Sequence, residues 1–165
     1  MKKLKNLWTR PLQALSSRLV ILVLVIAVIG FADATYLTVE HYSGVIPPCS
    51  VTGGCEKVLT SSYSSVFGIP VSLTGSIYYL LIAIGCIIFL ESKHITRLAV
   101  HRTEFLKFAL FLTIPGLLAS LWFTGLQMFV LHSYCIYCLG SAVITTILCI
   151  MTVVIMRKFH PGISE

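Results

Sequence analysis

Four long apolar runs dominate the pattern of hydrophobic and polar positions along the chain, at residues 19–39, 71–90, 108–131 and 135–156. A helix of about 20 residues rises roughly 30 Å, which is the thickness of the hydrocarbon core of a bilayer. The pattern therefore predicts an all-α integral membrane protein. We expect a four-transmembrane-helix bundle that forms a single domain over residues 1–165.

Two longer segments separate these runs. Residues 40–70 contain the turn-forming pairs Pro47-Pro48 and Gly53-Gly54, whereas residues 91–107 are rich in basic side chains. Proline fixes the backbone and glycine permits tight turns, so the first segment is predicted to be a loop. Within it, residues 56–66 are predicted to form a short helix at the membrane surface. The composition agrees with a membrane protein, because only 11% of the residues are charged and mean hydropathy is +0.94.

Basic residues are distributed unevenly between the two sides of the predicted bundle. Both termini and residues 91–107 share one side, which holds 11 of the 12 Lys and Arg residues, while only Lys57 lies on the other. The positive-inside rule then places the termini in the cytoplasm and residues 40–70 on the opposite side. We expect a multi-pass protein of a bacterial inner (cytoplasmic) membrane. The net charge of +6 follows from this orientation and gives no reason to expect a nucleic-acid partner.

The N-terminal segment has a second interpretation. A basic start, an apolar run over residues 19–32 and the tripeptide Ala32-Asp33-Ala34 resemble a cleavable signal peptide. However, the apolar character resumes at residues 35–39, and cleavage would remove a packing partner of the later helices. A first transmembrane helix is the favoured interpretation.

Two pairs of cysteines fall on the predicted extracytoplasmic side. Cys135 and Cys138 form a Cys-x-x-Cys at the start of the last helix, where the helix dipole and free N–H groups favour a thiolate. Cys49 and Cys55 lie in the loop rich in proline and glycine. This arrangement favours a relay by thiol–disulfide exchange. Two structural disulfides, or a four-thiolate zinc site, are the alternatives; zinc sites prefer closer spacing than that of Cys49 and Cys55. No metal is expected.

The chain also resembles the bacterial members of the vitamin K epoxide reductase (VKOR) family. The segments that carry the resemblance lie between Gly30 and about Ala142; they are residues 55–63, residues 67–70, Gly75, Tyr78-Tyr79 and Cys135-Ile136-Tyr137-Cys138. It implies a four-helix bundle around a quinone pocket that the loop segment caps. It also implies a quinone-dependent oxidoreductase that generates disulfides by reoxidising a thioredoxin-like (DsbA-type) protein. Because this chain has no fused thioredoxin domain, that periplasmic partner is expected to be a separate protein.

The resemblance assigns roles to individual residues. Cys49 exchanges with the partner, Cys55 passes electrons to Cys135, and Cys138 faces the quinone. Ser61 matches a serine or threonine that forms a hydrogen bond near the quinone. Further candidates for the wall of the quinone site are Phe67, Tyr78 and Tyr79, although packing within the bundle also accounts for the two tyrosines. Asp33, an ionisable residue inside the first span, either relays protons to the quinone or pairs within the bundle.

Two departures from the vertebrate members bear on the substrate. Val71 and Ala142 occupy the positions of an asparagine and a tyrosine in those members. Ubiquinone or menaquinone is therefore the expected electron acceptor, rather than vitamin K epoxide.

Three other classes of protein compete with this interpretation. A DsbB-type quinone reductase also has four spans and two cysteine pairs, but its Cys-x-x-Cys lies in the first loop. A small multidrug-type exporter would use Asp33 but would leave both cysteine pairs without a chemical role. A structural subunit would contain two static disulfides, which do not exchange with a partner.

Overall fold

The computed structural model describes residues 2–49, 53–91 and 102–159. In chain order, its elements are α1 (Lys2–Ser43), α2 (Cys55–Leu59), β1 (Ser65–Val66), β2 (Ile69–Pro70), α3 (Val71–Glu91), α4 (Arg102–Phe129) and α5 (Ile136–Phe159). Residues 92–101, the centre of the predicted basic connector, lie outside the described residues.

Four of these helices are long and apolar enough to cross a membrane. The candidate spans are Ser17–Ser43 in α1, Val71–Glu91 in α3, Phe111–Phe129 in α4 and Ile136–Ile155 in α5. Many large apolar side chains in these spans point away from the protein, among them Ile29, Ile84 and Leu118. Such exposure is unfavourable in water but is expected of a surface that faces lipid. The predicted four-helix membrane bundle is confirmed.

The four long helices form a ring in the order α3, α1, α5, α4, since the principal contacts join α1 to α3, α4 to α5 and α1 to α5. The ring closes between α4 and α3, which pack against each other less extensively than the other neighbouring helices.

Two glycines allow close approach to the tyrosine pair of α3. A Cβ atom on Gly30 of α1 would lie 2.6 Å from the ring of Tyr79, and one on Gly116 of α4 would lie 2.6 Å from the ring of Tyr78.

Helix α1 is continuous through residues 32–34, the signal-peptide cleavage site considered above. Ala34 and Leu37 are both buried beyond that position. Ala34 lies within packing distance of a Cβ atom at Gly75 of α3. This segment is therefore part of the bundle, which favours a transmembrane helix over a cleaved peptide.

The loop segment differs from the prediction of a helix over residues 56–66. Helix α2 ends at Leu59, and the side chains of Thr60 and Ser61, directly after it, donate hydrogen bonds to the carbonyls of Glu56 and Val58, respectively. A two-stranded antiparallel hairpin follows, in which Ser65 pairs with Pro70 and Val66 pairs with Ile69. Its turn contains Phe67 and Gly68, with φ of 52° and 77°. Two consecutive positive φ angles are typical of the tight turns of hairpins and are incompatible with a right-handed helix. The prediction of one helix there was wrong.

Candidate active site

The outer pair of cysteines forms a disulfide. Cys49 and Cys55 are joined with their α-carbons 5.8 Å apart. Cys55 is the first residue of α2 and is fully buried, whereas Cys49 is half-buried. An attacking thiol from outside would therefore reach the sulfur of Cys49 more readily than that of Cys55.

The inner pair lies at the start of α5 as two free thiols. Cys135 is fully buried and immediately precedes the helix. Its carbonyl oxygen accepts the hydrogen bond of the Leu139 N–H at 3.0 Å. Because the N-cap is the residue whose carbonyl accepts the first intrahelical bond, Cys135 is the N-cap of α5. Cys138, one turn further, is half-buried.

The two pairs meet in one buried cluster. Cys55, Val58 and Cys135 form its centre, and Cys49 and Cys138 pack against it. The cluster depends on a close backbone contact, because a Cβ atom on Gly54 would lie 2.8 Å from both the backbone nitrogen and the backbone oxygen of Tyr134. Each of these two residues directly precedes a cysteine of the cluster. The contact thus sets Cys55 beside Cys135.

The surroundings of Cys135 stabilise its thiolate. The pKa of Cys135 is lowered from 9.0 to about 7, chiefly because the Cys138 thiol donates a hydrogen bond to its sulfur. Burial opposes this effect, and the backbone N–H groups of Cys138 and Tyr137 reinforce it. Cys135 is therefore the more acidic thiol of the inner pair, and its sulfur caps the first turn of α5.

A large cavity lies beneath this cluster, between the helices. Its volume is about 970 Å³. Of the residues predicted to form the site, those in its wall are Asp33, Ser61, Tyr78, Tyr79 and Cys138. The wall also includes Val71 at the start of α3 and Gln127 of α4. Cavities of roughly 300–1,000 Å³ are typical of sites for small organic molecules.

Phe67 does not line the cavity. It lies in the hairpin turn, and its side chain is fully exposed. The positive φ angles of the turn direct residue 67 outward, so this structure gives no contact between Phe67 and the cavity.

The hydroxyl groups of the cavity wall differ in their partners. Tyr79 contacts Ser141 and Thr145 of α5, with its hydroxyl 2.7 Å from the Ser141 hydroxyl and 3.0 Å from that of Thr145. The buried Tyr78 hydroxyl has no hydrogen-bond partner among the described residues. Ser61 donates its proton to the carbonyl of Val58 at 2.7 Å, so it would have to rotate to donate to a bound molecule.

Asp33 of α1 also lies in this wall. Its Oδ2 atom is buried and has no hydrogen-bond partner among the described residues. A buried carboxylate oxygen without a partner is costly, which favours either a protonated carboxyl or a ligand that supplies the missing bond.

The model of the vitamin K epoxide reductase family matches residues 21–153, which include both cysteine pairs and most of the chain. The chain belongs to this family. No curated protein matched the sequence. As a VKOR family member, the chain is a membrane oxidoreductase that acts on thiols and quinones. The family assignment decides against the DsbB-type reductase and the multidrug-type exporter.

Some residues of this VKOR site could not be identified from their sequence pattern. Gln127 accepts a hydrogen bond from the backbone N–H of Cys135, and Gly54 packs against the backbone of Tyr134. Ser141 and Thr145 of α5 form hydrogen bonds with the Tyr79 hydroxyl of α3. One signal was available, since glutamine is polar and Gln127 interrupts an apolar run. The described residues contain no group of three or more His, Cys, Asp or Glu side chains that could hold a metal ion.

Proposed function

We propose that this protein oxidises the thiols of a separate, periplasmic thioredoxin-like protein and transfers the electrons to ubiquinone or menaquinone. The observation that carries the proposal is the order of the sulfur atoms. The half-buried Cys49 is bonded to Cys55, Cys55 packs with Cys135, and Cys138 lies in the wall of the cavity. Each sulfur is thus a neighbour of the next, from the protein surface to the cavity.

The first step is exchange with the partner. A thiolate of the partner attacks the Cys49 sulfur, the bond between Cys49 and Cys55 breaks, and Cys55 leaves as a thiolate. The partner's second thiol then displaces Cys49, which releases the oxidised partner. The exposure of Cys49 and the burial of Cys55 support this assignment of the attacked sulfur.

The second step moves two electrons to the inner pair. The Cys55 thiolate attacks Cys135 of an oxidised inner pair, and Cys138 leaves as a thiolate. Cys49 then attacks Cys55, which re-forms the outer disulfide and leaves Cys135 and Cys138 reduced. In this scheme, an outer disulfide together with two inner thiols would be the state that precedes quinone reduction, and the sulfur bonding of the structure fits that state.

The cavity has the properties of a quinone site. A quinone accepts two electrons and two protons when it is reduced. Cys138 lines the cavity, and the Tyr78 hydroxyl, which has no hydrogen-bond partner among the described residues, can donate a hydrogen bond to a carbonyl oxygen. Ser61 would add a second donor after rotation. We propose that Asp33 holds a proton at its buried Oδ2 and delivers it to the quinone oxygen. Apolar Val71, in the same wall, offers no hydrogen bond to an epoxide, which supports a quinone as acceptor.

The orientation follows from charge. We propose that both termini are cytoplasmic and that the cysteine cluster faces the periplasm, because 11 of the 12 basic residues fall on the side of the termini. The periplasm is an oxidising compartment in which disulfides form and persist.

The test is anaerobic mixing of the purified protein with a reduced thioredoxin-like protein and a soluble quinone, followed by the loss of quinone absorbance. The wild-type protein is expected to consume one quinone for each disulfide formed. Replacement of any cysteine of the cluster by alanine should abolish turnover, whereas Cys86→Ala, which removes a buried thiol of the α3 core, should not. Turnover that survives Cys138→Ala would contradict the relay.

The partner-facing cysteine can be tested in cells. In Cys55→Ala, the Cys49 thiol has lost Cys55 as its disulfide partner and is expected to accumulate as a mixed disulfide with the thioredoxin-like protein. Cys49→Ala is the matched control and should give no adduct. An adduct of equal yield in the control would assign the exchange to another cysteine.

A further inference from the structure

Gln127 joins the end of α4 to the start of α5. Its side chain is 2% exposed, and its Oε1 atom accepts a hydrogen bond of 2.8 Å from the backbone N–H of Cys135. Its Nε2 atom is 3.4 Å from the carbonyl of Phe123, one turn earlier in α4. The backbone carbonyl of Gln127 also accepts a hydrogen bond from the Ser133 N–H. Gln127 therefore accepts hydrogen bonds from two backbone N–H groups, those of Ser133 and Cys135, in and at the end of the segment that joins α4 to α5.

The requirement for this acceptor follows from helix geometry. The N-terminal residues of a helix have N–H groups without intrahelical partners. In the common capping box, a Glu or Gln at position N3 bonds the N–H of the N-cap residue. With Cys135 as the N-cap of α5, position N3 is Cys138. A glutamate or glutamine cannot occupy N3 here, because that position carries the second sulfur of the inner pair.

We propose that Gln127 is a positioning residue for Cys135, supplying from α4 the N-cap acceptor that Cys138 cannot supply from α5. This inference rests on the proposed relay, in which Cys55 attacks Cys135. The bond fixes the Cys135 backbone, so its sulfur stays both at the N-cap of α5 and beside Cys55. Without the Gln127 acceptor, the buried N–H would lose its partner and the first turn would shift to recover one.

The contact between Cys55 and Cys135 can be measured directly as an equilibrium. In a Cys49→Ala/Cys138→Ala background, only these two cysteines of the cluster remain, and the yield of their disulfide in a glutathione redox buffer reports how well their sulfur atoms are aligned. Gln127→Met preserves length and removes the acceptor. Gln127→Glu retains an acceptor oxygen at the same distance. Thr124→Val is the matched control on α4, because its hydroxyl donates a hydrogen bond to the Ser120 carbonyl within the same helix.

We expect Gln127→Met to lower the equilibrium constant for the disulfide by about tenfold, the factor that the loss of one hydrogen bond to a buried group produces. Gln127→Glu should restore a yield close to that of the parent, and Thr124→Val should leave it unchanged.

Three results would overturn the inference: an unchanged disulfide yield in Gln127→Met, an equal loss in Gln127→Met and Gln127→Glu, or an equal loss in Thr124→Val. The parent background separates this inference from the proposed function. If the parent fails to form the Cys55–Cys135 disulfide, the relay itself is wrong; if the parent forms it and Gln127→Met matches the parent, only the role of Gln127 is wrong.

Discussion

The α-carbon of Gly54 lies directly against the peptide backbone of Tyr134. There is no space for a side chain at residue 54, because a Cβ atom would be 2.8 Å from the nitrogen and the oxygen of Tyr134. The φ angle of Gly54 is −99°, which any residue can adopt. Glycine is therefore required at this position for close approach between two backbones and not for an unusual conformation. The contact holds α2 against the start of α5.

The first prediction concerns this contact. Gly54→Ala should force α2 away from Tyr134 and lower the rate of electron transfer from Cys55 to Cys135 by at least about tenfold, since small displacements of reacting atoms are costly. Stopped-flow mixing with the reduced partner would measure this step. Gly140→Ala is the control, because a Cβ atom there has no neighbour within 4 Å in the described part of the chain. Wild-type transfer in Gly54→Ala would show that the contact does not set the distance between the cysteines.

The second prediction separates the two tyrosines of α3. Tyr79→Phe removes a hydroxyl that contacts both Ser141 and Thr145, so it should lower the free energy of unfolding by about 1 kcal/mol. Tyr78→Phe should leave stability unchanged, because the Tyr78 hydroxyl has no partner among the described residues. If that hydroxyl binds a quinone carbonyl, Tyr78→Phe should instead raise KM for the quinone. Thermal unfolding in detergent and steady-state kinetics measure the two effects; equal destabilisation by both substitutions would contradict the hydrogen-bond assignment.

The third prediction concerns pH. The pKa of Cys135 is lowered to about 7, so its thiolate should predominate above that pH and be lost as the pH falls below it. The ultraviolet absorbance of the thiolate, taken as the difference from Cys135→Ala, should follow this titration. Cys138→Ala removes the largest cause of the lowering and should move the midpoint upward, towards 9.0. A midpoint that does not move would assign the lowering to the helix terminus alone.

The fourth prediction concerns orientation. A reporter enzyme that is active only outside the cytoplasm should be active when inserted within residues 50–53 and inactive when fused after Met156. The asymmetry of the basic residues is the physical reason, because such residues are retained on the cytoplasmic side. The reverse pattern would place the cysteine cluster in the cytoplasm, where disulfides are rare.

The apolar runs were sufficient to predict four membrane helices, because the length of a spanning helix is set by the bilayer and not by tertiary contacts. The position of Cys135 and Cys138 directly after the short break between two apolar runs likewise indicated a helix start, and their spacing indicated that they share one face of that helix. Helix length depends on the thickness of the bilayer, and the position of the cysteine pair depends on its neighbours in sequence. Both can therefore be predicted from the sequence alone. The roles of the individual site residues in catalysis stay predictions.

The loop segment was harder to predict because several local preferences compete there. Residues 56–66 have no proline or glycine, yet α2 ends at Leu59, where the hydroxyl-bearing residues Thr60 and Ser61 follow, and a hairpin begins at Ser65. Gly54 and Gln127 were not identified for a different reason. Their partners, Tyr134 and Cys135, are distant along the chain, and only the assembled bundle brings the groups together.

Cys135 belongs to a helix terminus as well as to a redox pair, and the two properties are thermodynamically linked. The N–H groups of Tyr137 and Cys138 stabilise the thiolate of Cys135, so the thiolate must stabilise the first turn of α5 by the same free energy. When Cys135 enters a disulfide, it loses its negative charge and that turn loses an anionic cap. Each cycle of electron transfer would therefore loosen and retighten the first turn of α5, where Cys138 lines the cavity. Amide hydrogen exchange at residues 137–139 would follow the redox state of the inner pair.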